Sequence, residues 1–154
     1  MRPRYLTALA ALTCVLAAGA CERSDPELQP DDLLRDSLGL GDADRVHTVR
    51  ISTEADRERA EPATVEIVPG DLVQFMTEDR RPHTVAFLMD SLPDAEAAFL
   101  RGGAQEGSPP LVDPESRFLV SFRDAPEGRY PFVVEGTGEA ARGVVVVAPP
   151  QGRR

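Results

Sequence analysis

Apolar and polar residues alternate along several short stretches in the second half of the chain. In the run RFLVSFR, Phe118, Val120 and Phe122 fall on one face. A period of two is typical of a β-strand that buries one of its faces. The same alternation recurs elsewhere, and the core positions that it predicts are Val65, Ile67, Val73, Phe75, Val85, Phe87, Phe118, Val120, Phe122, Tyr130, Phe132 and Val134.

Turn signals separate these stretches. Pro69-Gly70-Asp71 and the segment Ala125-Pro-Glu-Gly128 combine a proline, which presets φ, with a glycine, which allows positive φ. Several short strands with turns between them predict an all-β sandwich.

One segment has the pattern of a helix. Residues 91–101 are rich in strong helix formers, and Gly102 and Gly103 follow them. We predict a short helix from Pro93 to Arg101, in a loop between two strands. A lid on one end of the sandwich is the favoured role, and a partner-docking helix is the alternative.

The first twenty residues predict an export signal. Arg2 and Arg4 precede a short apolar run, and small residues at 18–20 stand just before Cys21. A run this short with a cleavage site is typical of a signal peptide rather than a membrane span. Ala-Gly-Ala-Cys is also similar to a bacterial lipobox, which predicts a lipid on Cys21. Ordinary signal cleavage at the same bond, giving a secreted protein, is the alternative.

The chain therefore divides into four parts: a signal peptide over 1–20, a lipidated acidic tether over 21–43, a domain over 44–148 and a tail over 149–154. The acids and prolines of the tether indicate a solvated segment, although Asp31 to Leu38 has the spacing of a short helix. Cys14 lies in the signal peptide and Cys21 is the new amino terminus, so the domain has no thiol for a disulfide or a metal.

The stretch VEIVPGDLVQFMTEDRRPHTVAF, residues 65–87, resembles the first half of a cupredoxin copper site. In that family an alternating strand, a Pro-Gly-Asp turn and a second strand lead to a loop that delivers His-Thr-Val. The resemblance implies a Greek-key β-sandwich with one short helix in an inter-strand loop. It also implies an electron carrier with type 1 copper, in which His83 matches the first histidine ligand.

The second half of the copper site departs from the family. The alignment places Val134 at the cysteine position, Thr137 at the second histidine position and Ala141 at the axial methionine position. Type 1 copper requires two imidazoles and a thiolate. We therefore predict no metal and no cofactor, and we interpret His83 as a structural residue whose ring hydrogen-bonds the neighbouring loop.

A different metal site is the alternative that the residues leave open. His47 and His83 are the two imidazoles, and the resemblance places the carboxylates of Glu78, Asp79, Glu135 and Glu139 near His83. Two imidazoles with a carboxylate can bind copper or zinc. The favoured interpretation of His47 is a surface strand residue, and that of the charged run at 54–61 is a solvated loop.

Charge and motifs limit the classes of function. The net charge of −9 opposes binding to nucleic acid. Hydrolase and phosphate-loop motifs are absent from the sequence, so we predict that the protein is not an enzyme.

Two function hypotheses follow. The first is a copper-free binding or structural module at the bacterial cell envelope, held by a lipid on Cys21, facing the periplasm and in contact with an unidentified envelope protein. Glu22 after the cysteine favours the outer membrane. The second is a copper-binding electron-transfer protein with a non-standard site around His83.

Overall fold

Eight strands form two four-stranded sheets that pack face to face. The computed structural model describes residues 25–149. Along the first sheet the strand order is β2-β1-β4-β6, and along the second it is β3-β8-β7-β5. The strands are β1 (Val46–Glu54), β2 (Arg57–Glu61), β3 (Thr64–Ile67), β4 (Leu72–Thr77), β5 (Thr84–Phe87), β6 (Arg117–Ser121), β7 (Gly128–Glu135) and β8 (Ala141–Val147).

Two pairings are parallel, β1 with β4 and β3 with β8, and the other four are antiparallel. The predicted all-β sandwich is confirmed. The predicted signal peptide, Cys21 and residues 150–154 of the predicted tail lie outside the described residues. Among residues 25–149, no helix has both the length and the apolar character needed to cross a membrane.

The core lies between the two sheets, where the predicted alternation places it. Of the twelve predicted core positions, eleven are buried, and Phe118 is partly buried and packs against them. Aromatic rings from both sheets meet at the centre, with the centroids of Phe75 and Phe132 4.9 Å apart in an edge-to-face arrangement. Such pairs stabilise a core beyond the area that they bury.

The predicted helix between β5 and β6 is confirmed as α2 (Asp94–Gly102), shifted by one residue from the predicted bounds. Ala97 and Leu100 are buried. Phe99 packs edge-to-face on Tyr130, with 6.2 Å between the ring centroids. The Tyr130 hydroxyl donates a hydrogen bond to the carbonyl of Pro126 at 2.7 Å, as in the tyrosine corner of other sandwiches.

An arm of residues 25–41 crosses the outer face of the first sheet. It contains one turn of 3-10 helix (Pro26–Leu28) and α1 (Asp32–Leu38). Leu34 of α1 is buried and packs on Val46 and Leu72. The Asp31 carboxylate caps α1 by accepting from the Leu34 amide at 3.0 Å, and it also accepts from the Arg117 guanidinium at 2.5 Å. This part of the predicted tether therefore packs on the sheet instead of being solvated.

The charged run at 54–61 was predicted to be a solvated loop, and that prediction is wrong. β2 pairs with β1 in an antiparallel hairpin, with Thr53 opposite Glu58. Alternation along β2 turns Glu58 inward, and only 4% of this residue is exposed. A glutamate in this position needs polar partners inside the fold.

Candidate functional site

His83 lies inside one end of the sandwich and is held by two carboxylates. Its residue is 1% exposed. Ring atom Nδ1 lies 2.8 Å from Oε2 of Glu58, and Nε2 lies 2.8 Å from Oδ1 of Asp79. We call this group the Glu58–His83–Asp79 triad. Both ring nitrogens are occupied by hydrogen bonds.

The Glu58 carboxylate has two polar partners besides the ring of His83. It accepts from the Thr53 hydroxyl at 3.2 Å and from the Gly138 amide at 2.8 Å. These hydrogen bonds satisfy the carboxylate inside the fold.

The Asp79 carboxylate has three polar partners. It accepts from the Thr53 amide at 2.8 Å and from the Arg81 amide at 2.9 Å, and it is also hydrogen-bonded to the ring of His83. Burial by itself raises the pKa of Asp79, but these hydrogen bonds outweigh burial and hold the pKa below its ordinary value.

Each ring nitrogen of His83 therefore faces one carboxylate oxygen. An imidazole ring donates from both nitrogens only in its protonated form, and donation from that form to a carboxylate gives a charge-assisted hydrogen bond.

Four segments of the chain bring the triad together. Glu58 comes from the β1–β2 hairpin, and Asp79 from the turn after β4. His83 immediately precedes β5, where it exchanges two backbone hydrogen bonds with Leu111, of 2.9 and 2.8 Å. The turn between β7 and β8 supplies the Gly138 amide. The sequence-based interpretation was that the ring of His83 hydrogen-bonds the neighbouring loop, and Asp79, in the turn after β4, is one of its two partners.

The other positions aligned with copper ligands offer no strong donor. Val134 is fully buried, stands opposite Val85 in the sheet register and is part of the apolar core. Thr137 is exposed in the β7–β8 turn, and Ala141 stands opposite Val134 at the start of β8. Within residues 25–149, no three His, Cys, Asp or Glu side chains are arranged to hold a metal ion. The residues present do not fit type 1 copper.

His47 does not share a site with His83. Its Nε2 lies 2.8 Å from Oδ2 of Asp71, in the turn before β4, whereas Asp79 follows β4. The six residues of β4 lie between Asp71 and Asp79 in the chain. An extended strand of this length spans roughly 20 Å. The His47 side chain is 12% exposed and lines a cleft of about 660 Å³ between β1, β3 and the arm, so it is more buried than the surface residue that we predicted.

Of the four carboxylates that the resemblance placed near His83, Asp79 hydrogen-bonds its ring, and Glu135 lines the same surface depression as His83. Glu78 pairs with Arg50 at 3.2 Å, and Glu139 pairs with Arg57 at 3.1 Å, both on the surface. Glu135 is exposed at the end of β7. The second anion of the triad is instead Glu58, which sequence reasoning missed.

Comparison with known proteins identifies the fold. No family model matches the chain, and no curated protein matches it. Among solved structures, the chain is similar to oxidised plastocyanin from the fern Dryopteris crassirhizoma, with 18% identity and a TM-score of 0.52 over 66% of this chain and 99% of the plastocyanin.

Two other similar structures are a Cu(I) amicyanin variant and a purple cupredoxin. The amicyanin is 20% identical, with a TM-score of 0.44 over 67% of this chain and 82% of its own. The purple cupredoxin from Nitrosopumilus maritimus is 20% identical, with a TM-score of 0.42 over 66% of this chain and 99% of its own. The chain has a cupredoxin-like β-sandwich fold, carried by its likeness to plastocyanin.

Proposed function

We propose that this protein is an exported, lipid-anchored cupredoxin-fold module that has lost type 1 copper chemistry and acts by binding a partner or by a structural role in the envelope. One observation carries this proposal. The histidine that aligns with the first copper ligand has both ring nitrogens bonded to carboxylates, one from the buried Glu58 and one from the partly exposed Asp79.

The loss of copper follows from the chemistry of the positions involved. A type 1 site needs a thiolate, and Val134 stands where the thiolate would be. A metal at His83 would have to separate the ring from Glu58 or Asp79. Removing one partner of a buried charge pair is costly, because the remaining charge is left without compensation.

The predicted signal sequence and lipobox support the location. A lipid on Cys21 would attach the protein to a membrane, facing the periplasm, and Glu22 favours the outer membrane. An acidic chain has no electrostatic attraction to nucleic acid or anionic lipid, so the partner that we propose is another envelope protein.

The end of the sandwich around His83 is the surface that we propose for docking. A shallow depression of about 280 Å³ lies there, lined by Pro82, His83, Thr84, Pro110, Glu135, Gly136 and Thr137. The triad beneath this surface fixes the loops that form it. A rigid, pre-formed surface loses less conformational entropy when it binds.

Metal content and colour test the proposal directly. The chain from residue 21 onward, carrying Cys21→Ala so that it has neither lipid nor thiol, is purified and analysed for metals. We expect no stoichiometric copper or zinc. Because no thiolate is present, added Cu(II) should give no intense blue charge-transfer band and no rise in melting temperature. Stoichiometric copper, or a copper-dependent rise that His83→Gln abolishes, would instead favour the electron-transfer alternative.

A further inference from the structure

We propose that the Glu58 carboxylate occupies the place that a metal ion would take at this end of the sandwich, and that this carboxylate is what keeps metal away from His83. This inference rests on the proposed loss of copper chemistry and names the group responsible.

The position of the carboxylate is the first argument. It lies between His83, which aligns with the first copper ligand, and the turn that contains Thr137, which aligns with the second. Oε2 is 2.8 Å from Nδ1 of His83, and Oε1 is 2.8 Å from the Gly138 amide. A Cβ placed on Gly136 would meet Oε1 at 2.6 Å. The carboxylate therefore lies between His83 and the backbone of the turn that contains the second ligand position.

The second argument is that Glu58 joins segments that a metal at this place would also join. Its side chain connects His83, before β5, to the β7–β8 turn. Its backbone amide donates to the Glu139 carbonyl at 2.8 Å, and the Glu139 amide donates to the Asp56 carbonyl at 2.8 Å. The β1–β2 hairpin is thus fastened to the turn by both side chain and backbone.

The third argument concerns access to the ring. The side chains of Glu58 and His83 are both 0% exposed. A metal ion needs the lone pair of a ring nitrogen, but a carboxylate oxygen of Glu58 lies 2.8 Å from Nδ1 and occupies the approach to that atom. The carboxylate must therefore leave before a metal can bind at Nδ1. Glu58 excludes metal by its volume.

The experiment restores the missing ligands and then varies Glu58 alone. The ligand-restored variant carries Val134→Cys, Thr137→His and Ala141→Met, in the thiol-free Cys21→Ala chain described above. A second protein adds Glu58→Ala. The probe is Cu(II), followed by the sulfur-to-copper charge-transfer band and by competitive titration with a chelator.

We expect an intense charge-transfer band from the Glu58→Ala protein and binding at least about a hundredfold weaker when Glu58 is retained. That factor is the order expected for displacing one partner of a buried charge pair. The matched control is Glu66→Ala in the ligand-restored background, because Glu66 is an exposed glutamate on β3. This control should bind copper as weakly as the protein that retains both glutamates.

Two results would have different meanings. If the ligand-restored variant binds copper equally well with and without Glu58, the role of Glu58 is refuted while the copper-free function stands. If the chain with its natural ligand positions already binds copper, the proposed function fails as well.

Circular dichroism and thermal unfolding show whether each variant is folded. Should Glu58→Ala not fold, Glu58→Ser carries the same comparison, because serine also vacates the space and lets water reach the Gly138 amide. A folded Glu58→Ser protein without copper binding would overturn the inference.

Discussion

Oε2 of Glu58 lies 2.8 Å from Nδ1 of His83, and neither side chain has any exposure to solvent. This contact connects two residues that are 25 positions apart. The histidine of a copper-site motif is thereby hydrogen-bonded to carboxylates at both ring nitrogens. The triad changes which substitutions at this end of the sandwich should matter for stability.

The first prediction concerns the relative cost of two core substitutions. From sequence alone, Val134→Ala is expected to destabilise by about 1–3 kcal/mol through lost burial and a cavity. His83→Gln is expected to cost about 1 kcal/mol, as for one lost hydrogen bond. The structure reverses this order. Glutamine cannot reproduce the two hydrogen bonds between the ring and the carboxylates, each worth about 1.5–3 kcal/mol, so we expect a loss of about 3–5 kcal/mol.

Urea unfolding of the two variants measures that order. His47→Gln serves as the control, because His47 faces one carboxylate at a more open position, and it should cost less than His83→Gln. If His83→Gln lowers the unfolding free energy less than Val134→Ala does, the hydrogen bonds between the ring and the two carboxylates do not stabilise the fold as proposed.

The second prediction concerns acid. The pKa of Asp79 is lowered in the folded protein, because the hydrogen bonds from His83, Thr53 and Arg81 outweigh the effect of burial. A depressed carboxyl pKa adds stability that is complete above the unfolded value, about 3.9, and is lost as the pH falls through the folded value. Asp79→Asn should therefore destabilise at pH 7 and do so progressively less at pH values below about 4.

Unfolding free energies of wild type and Asp79→Asn, measured across this pH range, give the comparison. Asp36→Asn is the matched control, since Asp36 is exposed on α1, and its effect should be small throughout. An Asp79→Asn deficit that stays constant down to the lowest pH would contradict the assignment.

The third prediction uses the single tyrosine of the exported chain, since Tyr5 falls in the predicted signal peptide. Burial, with a smaller contribution from the negative charge of Glu96, raises the pKa of Tyr130 to about 12. Tyrosinate absorbance should therefore titrate near 12 in the folded protein, and near 10 once urea has unfolded it. The contribution of Tyr130 to the unfolding free energy should be complete below pH 10 and should decline as the pH rises from 10 towards 12. A folded midpoint near 10 would mean that the phenol is open to water.

The fourth prediction concerns the anchor. Cys21→Ala should release the protein from the membrane fraction, because the cysteine thioether carries acyl chains and stable attachment needs more than one chain. Fractionation together with metabolic labelling by a fatty acid measures this. If wild type and Cys21→Ala are both soluble and unlabelled, ordinary signal cleavage is the correct interpretation.

The sequence predicted the sandwich because the information for it is local. Alternating residues around Phe75, Phe122 and Phe132 and the Pro-Gly-Asp turn at 69–71 each act within a few residues. The same reasoning placed α2 to within one residue. It also identified Val134 as a buried position, since it lies on the inward face of a strand.

The triad and the arm could not be predicted in this way. β2 has the sequence RERAE, whose one apolar residue gives hardly any alternation, so it was interpreted as a loop. The contact between Glu58 and Gly138 spans 80 positions, and that between Asp31 and Arg117 spans 86. The acidic composition of the arm suggested that it is solvated. It packs on the sheet because Leu34 is buried there and Asp31 pairs with the distant Arg117.

The arm also limits how far the protein can stand from a membrane. Asp25, where the arm begins, is four residues after Cys21, a span of at most about 14 Å for an extended chain. With residues 25–41 packed on the first sheet, a lipid on Cys21 would keep the whole sandwich within a thin layer at the bilayer surface. If Cys21 carries a lipid, a linker that short would hold the domain at the membrane surface, and a partner would have to reach it there.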